Sequence, residues 1–212
     1  MNGTDPAARR PLASRDILFF KKLAAWLARA RVSPNAISFS SVAFAVLAGL
    51  AFAGTTHWTG WGLRLHWLGA AFFIQMRLLA NMLDGMVAVE GGRGGPTGEL
   101  WNEAPDRVAD AAILIGAGCA MGGEPLLGFG AALAAVFVAY VRALGASVGA
   151  GQIFIGPQAK PHRMFVLTVA ALVSLFFPAM KAALWIVIVG CVITAWRRLA
   201  RIAAFLRGKS AR

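Results

Sequence analysis

The chain is short of charge. Charged residues make up 14% of its 212 residues, against roughly a quarter in a soluble domain. That shortage excludes an ordinary soluble globular enzyme. A hydrophobic fraction of 58% leaves no compositional basis for disorder. Acids are scarcer still, nine Asp and Glu against 21 Lys and Arg, for a net charge of +12. Cysteine is limited to Cys119 and Cys191, both inside apolar segments. Two such residues make no disulfide framework, and no zinc-ligand spacing exists. The N-terminus is basic and then amphipathic, without a short apolar core and cleavage site, so it does not read as a signal peptide.

What is abundant is apolar sequence, with a mean hydropathy of +0.67. Runs of ~20 apolar residues are long enough to cross a bilayer. Six are predicted, at about 35–54, 66–88, 104–121, 125–147, 164–179 and 182–203. Ser33 as N-cap and Pro34 at the first helical position start the first of them. Ahead of it, residues 17–32 form a basic amphipathic helix. Its Phe19, Leu23, Trp26 and Leu27 share a face that suits a lipid surface, flanked by Lys22, Arg29 and Arg31. The expectation is an all-α polytopic membrane protein: six transmembrane helices preceded by an amphipathic juxtamembrane helix. Residues 1–32 are the cytoplasmic N-terminus, 33–205 the membrane domain and 206–212 a basic tail.

The placement of the positive charge sets the orientation and argues against nucleic acid. Seven basic residues lie within 1–31 and six within 197–212, both clusters abutting apolar runs. With the N-terminus inside, the outer segments hold only Arg64 and Lys181. That bias places both termini in the cytoplasm, and the inner membrane of a bacterium is the expected location. Trp58, Trp61, Trp67 and Trp185 then fall near the outer interface, and Trp26, Trp101 and Trp196 near the inner one.

Of the nine acids, six fall within 84–110, where the second span meets the third: Asp84, Glu90, Glu99, Glu103, Asp106 and Asp110. Acids at membrane depth are expensive and mark function. Arg77, Asn81, Asp84 and Ala88 lie on one face of the second helix. Asn102, Asp106 and Asp110 share a face of the third if helix reaches back past Pro105. Antiparallel stacking sets Asn102 near Asp84, Asp106 near Asn81, and Asp110 near Arg77. Such an oxygen-lined pocket suits Mg2+ or Mn2+, not zinc. Gly85, Ala88 and Gly98 keep its walls thin enough for a phosphate-bearing ligand. Arg77 with Asp110 reads as a structural ion pair deeper than the site. Arg142, Lys160 and Arg163 form a second basic set on the same side, fitted to the phosphate of a polar acceptor.

These residues resemble the signature of the CDP-alcohol phosphatidyltransferases, D-x2-D-G-x2-A-R-x8-G-x3-D-x3-D. Asn81, Asp84, Gly85, Ala88, Val89, Gly98, Asn102 and Asp106 keep all of its gaps and five of its eight residue types. The Ser33-Pro34-Asn35 start of the first span also looks like that family's entry. The departures are Asn81 and Asn102 in place of the first and third acids, and Val89 in place of the arginine. Arg93 is a candidate to stand in for that arginine.

The resemblance implies an integral membrane transferase of phospholipid synthesis. It would displace CMP from a CDP-linked lipid, CDP-diacylglycerol above all, with the hydroxyl of a small alcohol or alcohol phosphate. It implies Asp106 as general base and Asn81, Asp84, Asn102 and Asp106 as metal ligands. Asn35, Gly85, Ala88 and Gly98 would line the CDP site, with Arg77, Glu103 and Asp110 in support, and a homodimer is plausible by the same resemblance. Four carboxylates balance two divalent ions, whereas Asp84 and Asp106 alone balance one, so one tight Mg2+ or Mn2+ is expected, with room for a second held weakly through substrate. The first competing reading is a degenerate member that binds nucleotide or lipid without turnover. The second is a small transporter using Arg77 and Asp110 as a relay, disfavoured because no inverted repeat or broken-helix pair exists.

Overall fold

The computed structural model describes residues 18–90 and 98–210, with side chains described for all of these except 88–90, 98–102 and 210. Among the described residues the chain forms seven helices and no strand. They are α1 Leu18–Arg29, α2 Pro34–Gly54, α3 Gly60–Glu90, α4 Gly98–Gly118, α5 Pro125–Ser147, α6 Lys160–Val173 and α7 Met180–Ser210. Three of them are long and apolar enough to cross a membrane: Pro34–Gly54, Pro125–Ser147 and Met180–Lys209. Leu50, Leu133 and Val192 stand exposed on these helices, as an acyl-chain solvent requires. The protein is an integral membrane protein.

The helices follow the apolar runs, with boundaries set by local chemistry. Ser33 caps α2, its hydroxyl accepting from the Ala36 amide at 3.1 Å, and Pro34 sits in the first turn. The second run is longer than its hydropathy suggested, because α3 begins at Gly60. Pro105 lies inside α4 rather than at its start, which carries helix back to Gly98. The fifth run ends early: α6 stops at Val173 and the chain turns through Ser174 to Pro178. Pro178 disfavours helix at Phe177, so the helix cannot continue through the end of the run. Its 14 residues span only about 21 Å at 1.5 Å each, short of a ~30 Å hydrocarbon core. The basic tail is not a separate segment, since α7 continues to Ser210.

Two expectations change on packing. α1 does not present one apolar face to lipid. Leu23, Ala24 and Leu27 turn inward against Ile37 of α2 and Leu83 and Val87 of α3, while Phe19 and Trp26 point outward. Trp67 is not part of an interfacial belt. It is buried in the bundle, edge-on to Phe52 with ring centroids 6.0 Å apart.

α4 threads the middle of the bundle, packed on α2 and α5. Small residues make that possible. A Cβ on Gly116 would lie 2.4 Å from the Gly49 Cα of α2, and one on Gly118 would lie 2.7 Å from the Gly128 Cα of α5. Backbone meets backbone at both crossings, the small-residue contact that packs membrane helices closely. Gly116→Val is expected to lower stability by about 1–3 kcal/mol, read as a lower thermal unfolding midpoint in detergent. An unchanged midpoint would show that the α2–α4 crossing tolerates a side chain.

Candidate active site

The C-terminal end of α3 and the N-terminal half of α4 carry the acids, and their antiparallel contact brings the two polar faces together. Asn81 donates its amide N–H to Asp106 Oδ1 at 2.9 Å. One turn further along each helix, Arg77 donates to Asp110 Oδ1 at 2.7 Å, and it also reaches back to Asp106 Oδ1 at 3.3 Å. These are the neighbours that helix stacking predicts. The partnership predicted between Asp84 and Asn102 lies outside the described side chains, as does the wall formed at Ala88. Gly98 is the first residue of α4, and Arg93 falls outside the described residues. Asn35 is exposed at the start of α2.

Asp84 is buried, with 4% of its surface exposed. α2 supplies its partner: Ser38 donates to Oδ2 at 2.8 Å. Oδ1 is buried with no hydrogen-bond partner among the described residues. A buried carboxylate oxygen left without a donor is costly, so this atom marks a place for a cation or donor that no described residue supplies. Asp106, 5% exposed, is the opposite case. Asn81 and Arg77 hold its Oδ1, and the ammonium of Lys160 holds Oδ2. Lys160 also donates to Asn81 Oδ1.

The second basic set arrives from α5 and α6. Lys160 opens α6 and Arg163 follows one turn later. Arg163 is buried, donating to Asp110 Oδ2 at 2.5 Å and to the Gln158 carbonyl at 2.9 Å. The loop ahead of α6 is itself pinned, because the Gln158 amide donates to Thr194 Oγ1 of α7 at 2.9 Å. Arg198 of α7 donates to the Ile155 and Val138 carbonyls, both at 3.0 Å. Arg142 is not with the other two. It donates to Glu103 at 2.5 Å and lies 5.7 Å from the Phe154 ring centroid. Glu103, half exposed and ahead of the third span, also takes Arg107 at 3.3 Å. Its burial pushes the carboxyl upward, but the guanidiniums of Arg142 and Arg107 outweigh that and hold it below the usual glutamate range. Glu103 therefore faces arginines rather than the Asp106 pocket.

Three carboxylates, Asp84, Asp106 and Asp110, thus face Arg77, Lys160 and Arg163 where α3, α4 and α6 meet, and Arg107, which also pairs with Glu103, lies 3.7 Å from Asp106 Oδ2. Ser38, Gln158, Thr194 and Arg198 were not singled out from the sequence. Ser38 had a legible signal, since with Ser41 it puts a hydroxyl stripe on an otherwise apolar helix. Arg198 looked like a tail charge because its burial arises only when α7 packs on the loop before α6.

Comparison with solved structures gives the architecture an identity. The crystal structure of Mycobacterium tuberculosis phosphatidylinositol phosphate synthase with CDP-DAG bound aligns with a TM-score of 0.73, covering 86% of this chain and 92% of that one at 21% identity. The chain has the fold of that synthase. The same synthase in complex with manganese and citrate also gives a TM-score of 0.73, at 21% identity, over 86% of this chain and 88% of that one. Its apo form gives 0.69 at 21% identity, over 85% and 94%. No family model and no curated protein sequence matches the chain.

The donor set fits a hard cation. It offers carboxylate and carboxamide oxygens, no thiolate or imidazole, and one carboxylate oxygen, Asp84 Oδ1, that is buried and unpartnered. Among the described residues no three His, Cys, Asp or Glu side chains converge as ligands. A divalent ion here would find Asp84 Oδ1 open and the oxygens of Asn81 and Asp106 already bound by Lys160.

Proposed function

We propose that the protein is a membrane transferase that displaces CMP from a CDP-linked lipid, CDP-diacylglycerol first, with the hydroxyl of a small alcohol or alcohol phosphate. The observation that carries this reading is the buried, unpartnered Asp84 Oδ1 beside Asp106, in a fold shared with a synthase solved with CDP-DAG bound. Asp84 would hold a Mg2+ or Mn2+ ion, with Asn102 as a neutral oxygen ligand, while Asn81 and Asp106, which the sequence also offers as ligands, are taken up by Lys160. Such an ion offsets the diphosphate charge and eases departure of CMP.

The chain's own groups do the rest. Asp106 takes the proton of the attacking hydroxyl. A carboxylate oxygen has two lone pairs, so Oδ2 accepts from that hydroxyl while Lys160 remains bound. Gly85, Ala88 and Gly98 leave room for the nucleotide, and Asn35 bounds the site from α2. Lys160 would face the acceptor's phosphate, with Arg163 behind it, fixed by Asp110, and Arg142 stands apart, paired with Glu103. Beside the three evident spans, α3 and α4 cross the membrane, α6 together with the turn from Ser174 to Pro178 makes the sixth crossing, and α1 lies at the cytoplasmic surface. The termini then face the cytoplasm.

The test is a product screen. The purified protein, with Mn2+ or Mg2+, is given CDP-diacylglycerol and a panel of alcohols and alcohol phosphates. Release of CMP and a new lipid mass are expected with one class of acceptor, and Asp106→Asn is expected to abolish both while folding normally. CDP-nucleotide binding without CMP release under any condition would overturn the transferase reading in favour of a non-catalytic binder. Wild-type turnover by Asp106→Asn would remove Asp106 from the chemistry.

A further inference from the structure

We propose that Lys160 is a built-in second cation of the site, so that the protein binds one divalent ion where a site of four carboxylates would bind two. The inference rests on reading the pocket as a divalent-metal site.

The ammonium of Lys160 donates to Asn81 Oδ1 and to Asp106 Oδ2. The Asn81 carboxamide is turned so that its oxygen meets Lys160 and its N–H2 meets Asp106 Oδ1 at 2.9 Å. Lysine, carboxamide and carboxylate thus close a ring in which donor faces acceptor at every step. An aspartate at 81 could accept from Lys160 but could not donate to Asp106, and it would set a second negative charge against Asp106. The neutral residue at 81 and the lysine at 160 therefore explain each other. Lys160 is held in place by a loop pinned through Gln158 to Thr194.

Charge balance gives the same answer. Asp84, Asp106 and Asp110 are already balanced without any bound ion by Arg77, Lys160 and Arg163, and Arg107 adds a further positive charge 3.7 Å from Asp106 Oδ2. A divalent ion at Asn81 and Asp106 would have to displace the ammonium or sit against it, and like charges at such range repel strongly in a poorly solvated pocket. Asp84 carries no such obstacle. Its partner is a neutral hydroxyl, Ser38, and its Oδ1 is unpartnered. A single ion therefore binds on the Asp84 side, and its two charges are matched when a diphosphate arrives.

Counting Mn2+ tests this without reference to turnover. Equilibrium dialysis of the full chain in detergent, with free Mn2+ read by electron paramagnetic resonance, is expected to give one ion per wild-type chain, bound more tightly when CDP is present. Asn81→Asp alone is expected to stay at one, because Lys160 still supplies the second cation. Asn81→Asp with Lys160→Met is expected to rise to two. Should that pair fail to fold, Asn81→Asp with Lys160→Gln carries the same count. Two ions on the wild type, or one on the folded double variant, would overturn the role of Lys160 and leave the metal site standing. No Mn2+ on any variant, with or without CDP, would remove the metal site and the inference together.

Discussion

Asp84→Asn is expected to reduce CMP release about a thousand-fold, with the thermal unfolding midpoint unchanged. The substitution keeps shape and keeps an oxygen for Ser38, which now donates to Asp84 Oδ2 at 2.8 Å. It removes the only carboxylate charge at the site that no described cation contacts directly. Loss of a divalent ion's stabilisation of departing phosphate oxygens is worth several kcal/mol, and about 4 kcal/mol is three orders of magnitude in rate. The unfolding midpoint should hold or rise, because the variant no longer buries an unpaired carboxylate oxygen. Mn2+ dialysis on the same variant should show the ion lost. Turnover within tenfold of wild type would place the metal, or the chemistry, elsewhere.

Asp110→Asn acts on the other half of the cluster, and its expected effect is on folding. Asp110 is 1% exposed and bridges Arg77, at 2.7 Å, to Arg163, at 2.5 Å. Arg77 is fully buried, and its Nε and Nη1 have no partner within the protein. Neutralising Asp110 leaves Arg163 without a carboxylate and Arg77 with only the longer contact to Asp106. Removing one partner of a buried pair costs about 3–5 kcal/mol. A large drop in the unfolding midpoint is therefore expected, with poor yield from membranes. Asp110→Leu with Arg163→Leu should recover part of the loss, because the pair is then replaced by apolar groups instead of being broken. An unfolding midpoint equal to wild type for Asp110→Asn would show that the pair is not structural.

The two aspartates look alike in the sequence, and the spacing explains how far it could separate them. The seven-residue step from Arg77 to Asp84 and the four-residue step from Asp106 to Asp110 place each on a known face of its helix. That was enough to set Asp110 beside Arg77 and Asp106 beside Asn81. It was not enough to show that Asp84 keeps an unpartnered oxygen. That fact depends on Ser38, from a different helix 46 positions away.

Lys160 shows the same limit more sharply. As a basic residue at the start of the fifth apolar run it was legible as a phosphate ligand. Its contact with Asn81 and Asp106 spans 79 and 54 positions and follows from the anchoring of its loop on α7.

The sequence by itself determined the helical membrane class, the start of α2 at Ser33 and Pro34, and the two faces that meet at the acids. These follow from hydropathy, capping and the 3.6-residue period, which act within one segment. Only the tertiary structure decided which carboxylate is satisfied and which is open, that Trp67 is core and not belt, and that a lysine lies among the acids. Hydrogen-bond satisfaction and burial are properties of pairs, and the partners here come from helices far apart in the chain.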